Sequence, residues 1–431
     1  MRIAELIRRN KEEIIVVAIF MFFALGFNCY RVQGDGLWSY AFLENILHIP
    51  DPESDIMRLA DIKFNQCGNA FFNAPFYLLG YALEKLLFFK HWEINGITLR
   101  TIFINLASNF YLSLSLILCI RMVKKLNFRY TVLPPVCILF STTAFSAAVV
   151  IPSLNHAADI FINTVFLFFL LEIILETKGD RPLRFLFLAL VYTIAILVRY
   201  ANVVLILPLF VYFLVWKEFK KIRYLLISLF LVIWIVPLLI QVFNRSISPA
   251  VTSGFTVAEI FKMALAPKYL LKFLVHPLHG LFIWSPVTFF SLLGLFKFPK
   301  SKEGLGYLFL GIWVSFLLIL GSFYSWYGGW SFSSRYLIGL FPVYTIGLSA
   351  LLEHYGRKII LPVIAATFYS IILFLNWHLC IMNPEFATPW EMVRAWAKGE
   401  SETFLDKKVT LPVFLHRLYE FCRYKYILKI F

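Results

Sequence analysis

The chain has little charge and few cysteines for its length. Of its 431 residues only 15% are Asp, Glu, Lys or Arg, whereas 60% are hydrophobic, and one soluble core cannot bury that much apolar surface. The six cysteines form no C-x-x-C pair, so neither a redox motif nor a cysteine-based metal site is expected. No HExxH, P-loop, GxSxG or GxGxxG motif is present with the sequence context that its function requires. These absences point to a polytopic membrane protein.

Long apolar segments are what the sequence has in quantity. They fall at about residues 14–29, 99–120, 131–151, 157–176, 184–199, 200–216, 224–243, 283–297, 305–323, 336–352 and 359–378. Because about 20 apolar residues cross a bilayer, these segments predict an all-α fold with about 11 transmembrane helices. Residues 1–380 are predicted to form the transmembrane domain, and residues 381–431 a short external tail.

The basic residues predict how the chain is oriented. Lys and Arg outnumber Asp and Glu by 40 to 25 and gather in short loops between the apolar segments. This pattern is typical of cytoplasmic loops that meet anionic lipid, so the expected partner is the lipid bilayer and not nucleic acid. The amino terminus is then cytoplasmic, and because no small-x-small cleavage site follows it, an uncleaved anchor is predicted.

A further apolar run at 69–89 is predicted to be an amphipathic or re-entrant segment on the outer face, because a full crossing would move every basic loop outside. The long loops 30–98 and 244–282 are then external, and juxtamembrane helices are expected in the first. Neither an internal repeat nor half-to-half hydropathy symmetry is found, which counts against a carrier.

Two acids on the predicted outer face are candidates for chemistry. Asp35 lies in the segment 34–40, GDGLWSY, where it can accept a proton from a hydroxyl nucleophile or bind a divalent cation. The alternative for Asp35 is a cap for a helix beginning near Leu37. Asp159 lies at the outer end of the fourth span, where a carboxylate usually faces a cavity. Its alternative is a first-turn acid favoured by the helix dipole.

Two arginines lie at the outer ends of spans, where the positive-inside rule does not place them. They are Arg199 and Arg335, and an anionic partner is therefore expected for both. Arg335 follows an aromatic, glycine-rich stretch at 326–334 and opens a helix, a setting suited to a phosphate. His279 can add a further donor. The alternatives are a snorkelling arginine in an aromatic belt and a structural histidine.

Several short motifs resemble the glycosyltransferase C superfamily, polytopic enzymes that include protein O-mannosyltransferases and lipid A aminoarabinose transferases. Asp35 opens a large first external loop, and an Asn-Ala-Pro-Phe-Tyr sequence at 73–77 opens the interfacial segment. Arg100 begins the second span, and Asp159 follows the third. The segments 279–286 and 328–337 look like those of uncharacterised bacterial members, and the resemblance covers roughly residues 1–380.

The resemblance implies transfer of a sugar from a polyprenyl-phosphate donor to a glycolipid, polysaccharide or protein acceptor, with inversion at the anomeric carbon. It implies Asp35 as general base, with Asp159 orienting that region or contacting the sugar or a cation. A divalent cation, Mg²⁺ or Mn²⁺, would have Asp35 and Asp159 as its ligands. The expected donor-phosphate ligands are Arg335, Arg199, His279 and Tyr336. The expected substrate-binding residues are Trp38, Tyr40, Asn73, His156, Trp326 and Trp330.

The resemblance also implies a cell-envelope protein of the bacterial inner membrane, with the active site and the carboxyl terminus in the periplasm. The sequence departs from the family pattern at Asp35, which Gly36 follows where an acidic pair is usual, and at Ala74, where a second proline is frequent. Two other functions stay open. A flippase or transporter for lipid-linked sugars would need an arginine-lined cavity but no outer carboxylate base, and a non-catalytic binding subunit would tolerate Asp35→Asn.

Overall fold

The computed structural model describes residues 10–27, 39–40, 43, 68–86, 98–175, 182–230, 268–276, 279–322 and 332–382. This part of the chain is nearly all helical and contains no strand. The helices are α1 (Lys11–Phe27), α2 (Gly68–Leu86), α3 (Leu99–Lys125), α4 (Leu133–Ser141), α5 (Thr143–Val149), α6 (His156–Leu175), α7 (Pro182–Val198), α8 (Ile206–Val215), α9 (described over 219–230), α10 (Leu270–Val275), α11 (Leu281–Trp284), α12 (Pro286–Leu295), α13 (Glu303–Leu320), α14 (Phe341–Tyr355) and α15 (Ile360–Met382).

Four helical stretches among the described residues are long and apolar enough to cross a membrane. They are Leu99–Lys125, His156–Leu175, Lys300–Leu320 and Arg335–Leu375. Three shorter apolar helices are Pro182–Val198, Tyr200–Val215 and Pro286–Leu295. Helical secondary structure and apolar helices compatible with a membrane agree with the predicted class. The count of about 11 spans stays a prediction, and part of the predicted span 224–243 lies outside the described residues.

One predicted span is broken in the middle. Residues 131–151 form two helices, α4 and α5, which meet at Thr142 in an extended conformation with φ −119° and ψ 177°. The Thr142 side chain accepts a hydrogen bond from the Ala144 backbone N–H and so caps the start of α5. Hydropathy alone does not reveal this break, because the residues on both sides of it are apolar.

One end of the helix bundle is held together by ion pairs and is called the basic end here. Lys124 at the end of α3 lies 2.9 Å from Glu12 and 3.0 Å from Glu13 of α1, and Lys125 pairs with Glu172 of α6. The segment after α3 is joined to two further elements, because the Arg129 backbone N–H donates to the Glu353 carboxylate in the last turn of α14 and the Lys302 ammonium, just before α13, donates to the Leu126 carbonyl. The loops predicted to be cytoplasmic therefore meet at one end, and the membrane side they face stays a prediction.

Most of the apolar run at 69–89 lies in α2 (Gly68–Leu86), which packs antiparallel along the amino-terminal half of α3. Gly80 lies against the backbone of Arg100, and the Tyr111 hydroxyl donates to the Phe72 carbonyl at 2.8 Å. The segment therefore packs lengthwise against a candidate spanning helix, and whether it is amphipathic or re-entrant stays a prediction. Its depth in a membrane stays a prediction.

Candidate functional site

Asp159 lies in the first turn of α6, at the end of the bundle opposite the basic end, and its side chain is fully buried. An Arg199 guanidinium nitrogen lies 3.0 Å from its Oδ2. The side-chain amides of Asn202 and Asn163 donate to its Oδ1 at 2.8 Å and 3.0 Å. Both carboxylate oxygens of Asp159 thus have donors, and the charge has a counter-ion, as a buried carboxylate requires.

Two members of this network come from one turn. Arg199 is the extended residue between α7 and a 3₁₀ helix, Tyr200–Leu205, and Asn202 lies inside that helix. The Asn202 amide also donates to the Ala195 carbonyl at 2.9 Å, and the Asn163 amide donates to the Asn202 side-chain oxygen at 3.1 Å. The turn after α7 is therefore tied to α6 by neutral hydrogen bonds as well as by the ion pair.

The surroundings of Asp159 decide what its carboxylate can do. Because a guanidinium and two amides already occupy its oxygens, Asp159 is poorly placed to take a proton from a substrate or to ligate a divalent cation, which Arg199 would repel. The described residues contain no group of three or more His, Cys, Asp or Glu side chains that could hold a metal ion. The environment of Asp159 is that of a structural ion pair in the first turn of α6, and its predicted roles toward Asp35, the sugar or a cation stay predictions.

The segment that carries Arg335 packs directly on this network. It forms a 3₁₀ helix, Arg335–Leu340, and its Gly339 faces α6. A β-carbon at position 339 would lie 2.7 Å from Asp159 Oδ2 and 2.5 Å from Asn163 Nδ2, so only glycine allows this approach. The network thus sets the position of the 3₁₀ helix.

The Tyr336 ring lies close to both arginines. The guanidinium carbon of Arg199 is 5.2 Å from the centre of the Tyr336 ring, and that of Arg335 is 5.4 Å from it. Distances of this size are within the range of cation–π attraction. The structure thus brings together three of the predicted phosphate ligands, Arg199, Arg335 and Tyr336.

A cavity opens beside Arg335. The enclosed part is small, with room for about one water molecule, and the roughly 230 Å³ of empty space around it includes open solvent. The cavity is lined by Thr143, Ser146, Ala147, Ile151, Leu154, His156, Phe332 and Arg335. The Thr143 hydroxyl donates to the Phe332 carbonyl at 3.2 Å, which ties α5 to the segment leading into Arg335. Most of the lining is apolar, so charges inside the cavity are weakly screened.

His156 and Arg335 have unused hydrogen-bonding atoms at this cavity. The His156 side chain is buried, and neither of its ring nitrogens has a hydrogen-bond partner. The Nε of Arg335 also lacks one, and Arg335 forms no ion pair with any residue in the described ranges. Buried polar atoms of this kind normally find a partner. An anion would satisfy the arginine and accept a hydrogen bond from the imidazole.

Residues 39–40, between α1 and α2, lie at the same end of the bundle. The Asn69 amide of α2 donates to the Ser39 hydroxyl at 2.9 Å and to the Ser153 carbonyl at 3.1 Å, just before His156. Tyr40 is buried edge-on against Tyr77, with ring centres 5.5 Å apart. The carboxyl end of the segment 34–40 is therefore anchored near α6.

The remaining predicted residues fall into two groups. His279 precedes α11, whose Trp284 ring lies 5.4 Å from Phe332, but the described contacts do not join His279 to Arg335. Asn73 is buried on α2 and does not line the cavity. Asp35, Trp38, Trp326 and Trp330 lie outside the described residues.

Sequence reasoning missed Asn69, Asn163 and Asn202. Asn163 stands one helical turn after Asp159, a spacing that could have revealed it. Comparison with known proteins finds no family model and no curated protein that matches this chain. Function is therefore inferred from the residues and their geometry.

Proposed function

We propose that this protein is an integral membrane glycosyltransferase. It would move a sugar from a polyprenyl-phosphate donor to an acceptor on the outer face of the membrane. The observation that carries the proposal is the cavity in which Arg335 and His156 both have unused hydrogen-bonding atoms. It lies at the end of the bundle opposite the basic end.

The charges around the cavity suit a phosphate group. Asp159 neutralises Arg199, so Arg335 supplies the net positive charge next to the cavity. A guanidinium can donate two parallel hydrogen bonds to phosphate oxygens, and a low-dielectric lining strengthens them. The apolar side chains of Ala147, Ile151, Leu154 and Phe332 suit the first carbons of a lipid chain.

The proposed reaction exchanges one bond for another at the anomeric carbon. The acceptor hydroxyl or amine attacks that carbon and forms the new C–O or C–N bond. The bond from the same carbon to the phosphate oxygen breaks, and the electron pair leaves with the polyprenyl phosphate. Arg335 and His156 would stabilise the charge that develops on this phosphate. Asp35 would take the proton of the attacking group, the role that the family resemblance assigns to it.

Asp159 and Arg199 would act as positioning residues. Their ion pair lies under the 3₁₀ helix that carries Arg335 and Tyr336, and Gly339 lies directly against it. A shift of this helix would move the phosphate ligand, and small displacements of a positioned group slow catalysis strongly. The acceptor would be a glycolipid, a polysaccharide or a protein at the periplasmic face of a bacterial inner membrane.

The test is glycosyl transfer by purified protein in nanodiscs, with a panel of polyprenyl-phosphate sugars as donors and envelope extracts as acceptors. Arg335→Gln should lower transfer at least about 100-fold, because it removes a charged donor to the leaving group. Arg357→Gln is the matched control, since Arg357 is exposed near the basic end. Asp35→Asn should abolish transfer while phosphate-lipid binding is kept.

Other results would favour other functions. Translocation of the lipid-linked sugar without transfer would indicate a flippase. Binding without either activity would indicate a binding subunit. Transfer that is equal in the wild type, Arg335→Gln and Asp35→Asn would remove these residues from the chemistry.

A further inference from the structure

A second group of unused polar atoms lies on α3, outside the cavity described above. Asn105 and Asn109 are both 0% exposed, and neither the amide nitrogen nor the carbonyl oxygen of either side chain has a hydrogen-bond partner. Leaving a buried polar group unpaired is unfavourable, and such groups in native proteins call for an explanation. Four such atoms within one helical turn form the largest concentration of unused hydrogen-bonding capacity among the described residues.

The two asparagines face the interior of the bundle. Arg100 and Tyr111 mark the side of α3 that meets α2. At 100° per residue, Asn105 and Asn109 lie roughly 140° and 180° round the helix from Arg100, so they point away from α2. On its other sides α3 contacts α1, α5 and α6.

The backbone next to this face of α3 is irregular. The chain breaks at Thr142, between α4 and α5, and both helices contact α3. The hydroxyl of Ser141, at the break, is fully buried and also lacks a partner. In membrane proteins, broken helices with polar groups at the break commonly border a binding site.

The asparagines lie at the depth of the cavity. Ser108, on the same turn of α3, donates to the carbonyl of Pro152, four residues before His156. The antiparallel pairing of Lys124 with Glu13 places the outer end of α1 near the level of Asn109. The helix α5, which contacts α3, also lines the cavity with Thr143 and Ser146.

The chemistry of the side chains indicates what they bind. Each asparagine offers two N–H donors and a carbonyl acceptor and carries no charge, so the pair suits a neutral group with several hydroxyls. We infer that Asn105 and Asn109 bind the sugar ring of the donor and help to select its identity. This inference rests on the proposed function, in which the sugar is bonded directly to the phosphate.

The test measures binding without requiring transfer. Octyl glycosides of glucose, galactose, mannose and N-acetylglucosamine serve as neutral probes, and octyl phosphate serves as the anionic probe. Each is titrated calorimetrically into the full-length protein in nanodiscs. At least one glycoside should bind the wild type, and Asn105→Ala or Asn109→Ala should weaken it about tenfold while leaving octyl phosphate binding unchanged.

Ser115→Ala is the matched control. Ser115 is buried on the same helix, and its hydroxyl donates a hydrogen bond to the Tyr111 carbonyl one turn earlier. This variant should leave glycoside binding unchanged. Arg335→Gln should give the reverse pattern, with weaker octyl phosphate binding and unchanged glycoside binding. Failure of the phosphate arm alone would count against the proposed function and not against the sugar site.

A variant of nearly equal volume, Asn109→Leu, keeps the test informative if the alanine variants fold poorly. It removes the unpaired polar atoms and should fold at least as well as the wild type. Loss of glycoside binding by this stable variant supports the inference. Unchanged glycoside affinity in the asparagine variants would overturn it, and so would a wild type that binds none of the glycosides, which would indicate that buried water alone satisfies the amides.

Discussion

The two ends of this helix bundle treat charge in opposite ways. At the basic end, Lys124 is 35% exposed and pairs with Glu12, which is 46% exposed. At the other end, Arg199 is 7% exposed and Asp159 is fully buried. Exposed pairs contribute between about 0 and 1 kcal/mol, whereas removing one partner of a buried pair costs about 3–5 kcal/mol. Substitution of the exposed Glu12 should therefore be tolerated, whereas substitution within the buried Asp159–Arg199 pair should not.

The ends also differ in what they leave unused. At the basic end Lys124, Lys125 and Lys302 find acids or a carbonyl on neighbouring elements, and one carboxylate oxygen of the buried Glu13 has no hydrogen-bond partner among the described residues. At the opposite end Arg335, His156, Asn105 and Asn109 all keep hydrogen-bonding atoms without partners. Buried polar atoms without hydrogen-bond partners lower stability unless a ligand binds to them. The basic end therefore mainly stabilises the bundle, and the opposite end is suited to binding a ligand.

Breaking the buried pair should have the largest effect. Arg199→Met leaves the Asp159 carboxylate buried without a counter-ion, and we expect a loss of about 3–5 kcal/mol in the free energy of unfolding. Thermal unfolding in nanodiscs measures this loss. A change below about 1 kcal/mol would mean that Asp159 finds another partner, and the contrast between the two ends would fail.

Removing both charges should recover part of that loss. In the double variant Asp159→Asn with Arg199→Met no buried charge stays uncompensated, so we expect recovery of about 1–3 kcal/mol relative to Arg199→Met. A double-mutant cycle with Asp159→Asn alone gives the coupling energy. A coupling near zero would show that the two side chains contribute independently.

Crowding the contact between Gly339 and Asp159 should have a smaller effect. Gly339→Ala places a methyl group against the carboxylate, and we expect destabilisation of about 1–3 kcal/mol together with weaker phosphate binding. Gly311→Ala is the control, because a β-carbon at position 311 would meet, among the described residues, only the Pro208 ring, with 3.2 Å between the two β-carbons. Equal losses of phosphate binding in the two variants would contradict a positioning role for Gly339.

Changing His156 should separate stability from binding. His156→Phe removes two unpaired nitrogens from a buried position, so we expect stability to stay within about 1 kcal/mol of the wild type or to rise. Octyl phosphate affinity should fall, because a hydrogen-bond donor is lost. A stable His156→Phe protein with wild-type phosphate affinity would remove His156 from the site.

The smallest effect is expected at the basic end. Glu12→Gln removes the exposed partner of Lys124, which keeps its pair with Glu13, and we expect a loss of no more than about 1 kcal/mol, reduced further by salt. Unfolding at low and high ionic strength measures it. A loss as large as that of Arg199→Met would remove the distinction between the two ends.

Several features could be predicted from the sequence because they depend on the hydropathy or charge of one short segment. Helical class and apolar segments follow from hydropathy, and α3 and α6 begin close to where the apolar segments predict. Arg199 and Arg335 could be identified because each lies at a helix end where the positive-inside rule does not expect a basic residue. Tyr336 was named from its neighbour Arg335.

The partners of these residues could not be predicted in the same way. Asp159 and Arg199 are 40 residues apart, and many acids and bases lie at similar distances along the chain. Asn163 and Asn202 resemble any other asparagine until α6 and the turn after α7 pack together. The break at Thr142 and the contact of Gly339 with Asp159 depend on side-chain packing between helices, which hydropathy averages away.

By itself the sequence determined a helical, membrane-compatible chain, because solvation energies add up residue by residue along a segment. Only the tertiary structure decided that Asp159 is neutralised by Arg199, that Arg335 and His156 share a cavity, and that Asn105 and Asn109 are buried without partners. Those outcomes depend on which helix faces meet, since a buried charge or amide is stabilised only by groups that packing brings within hydrogen-bond distance.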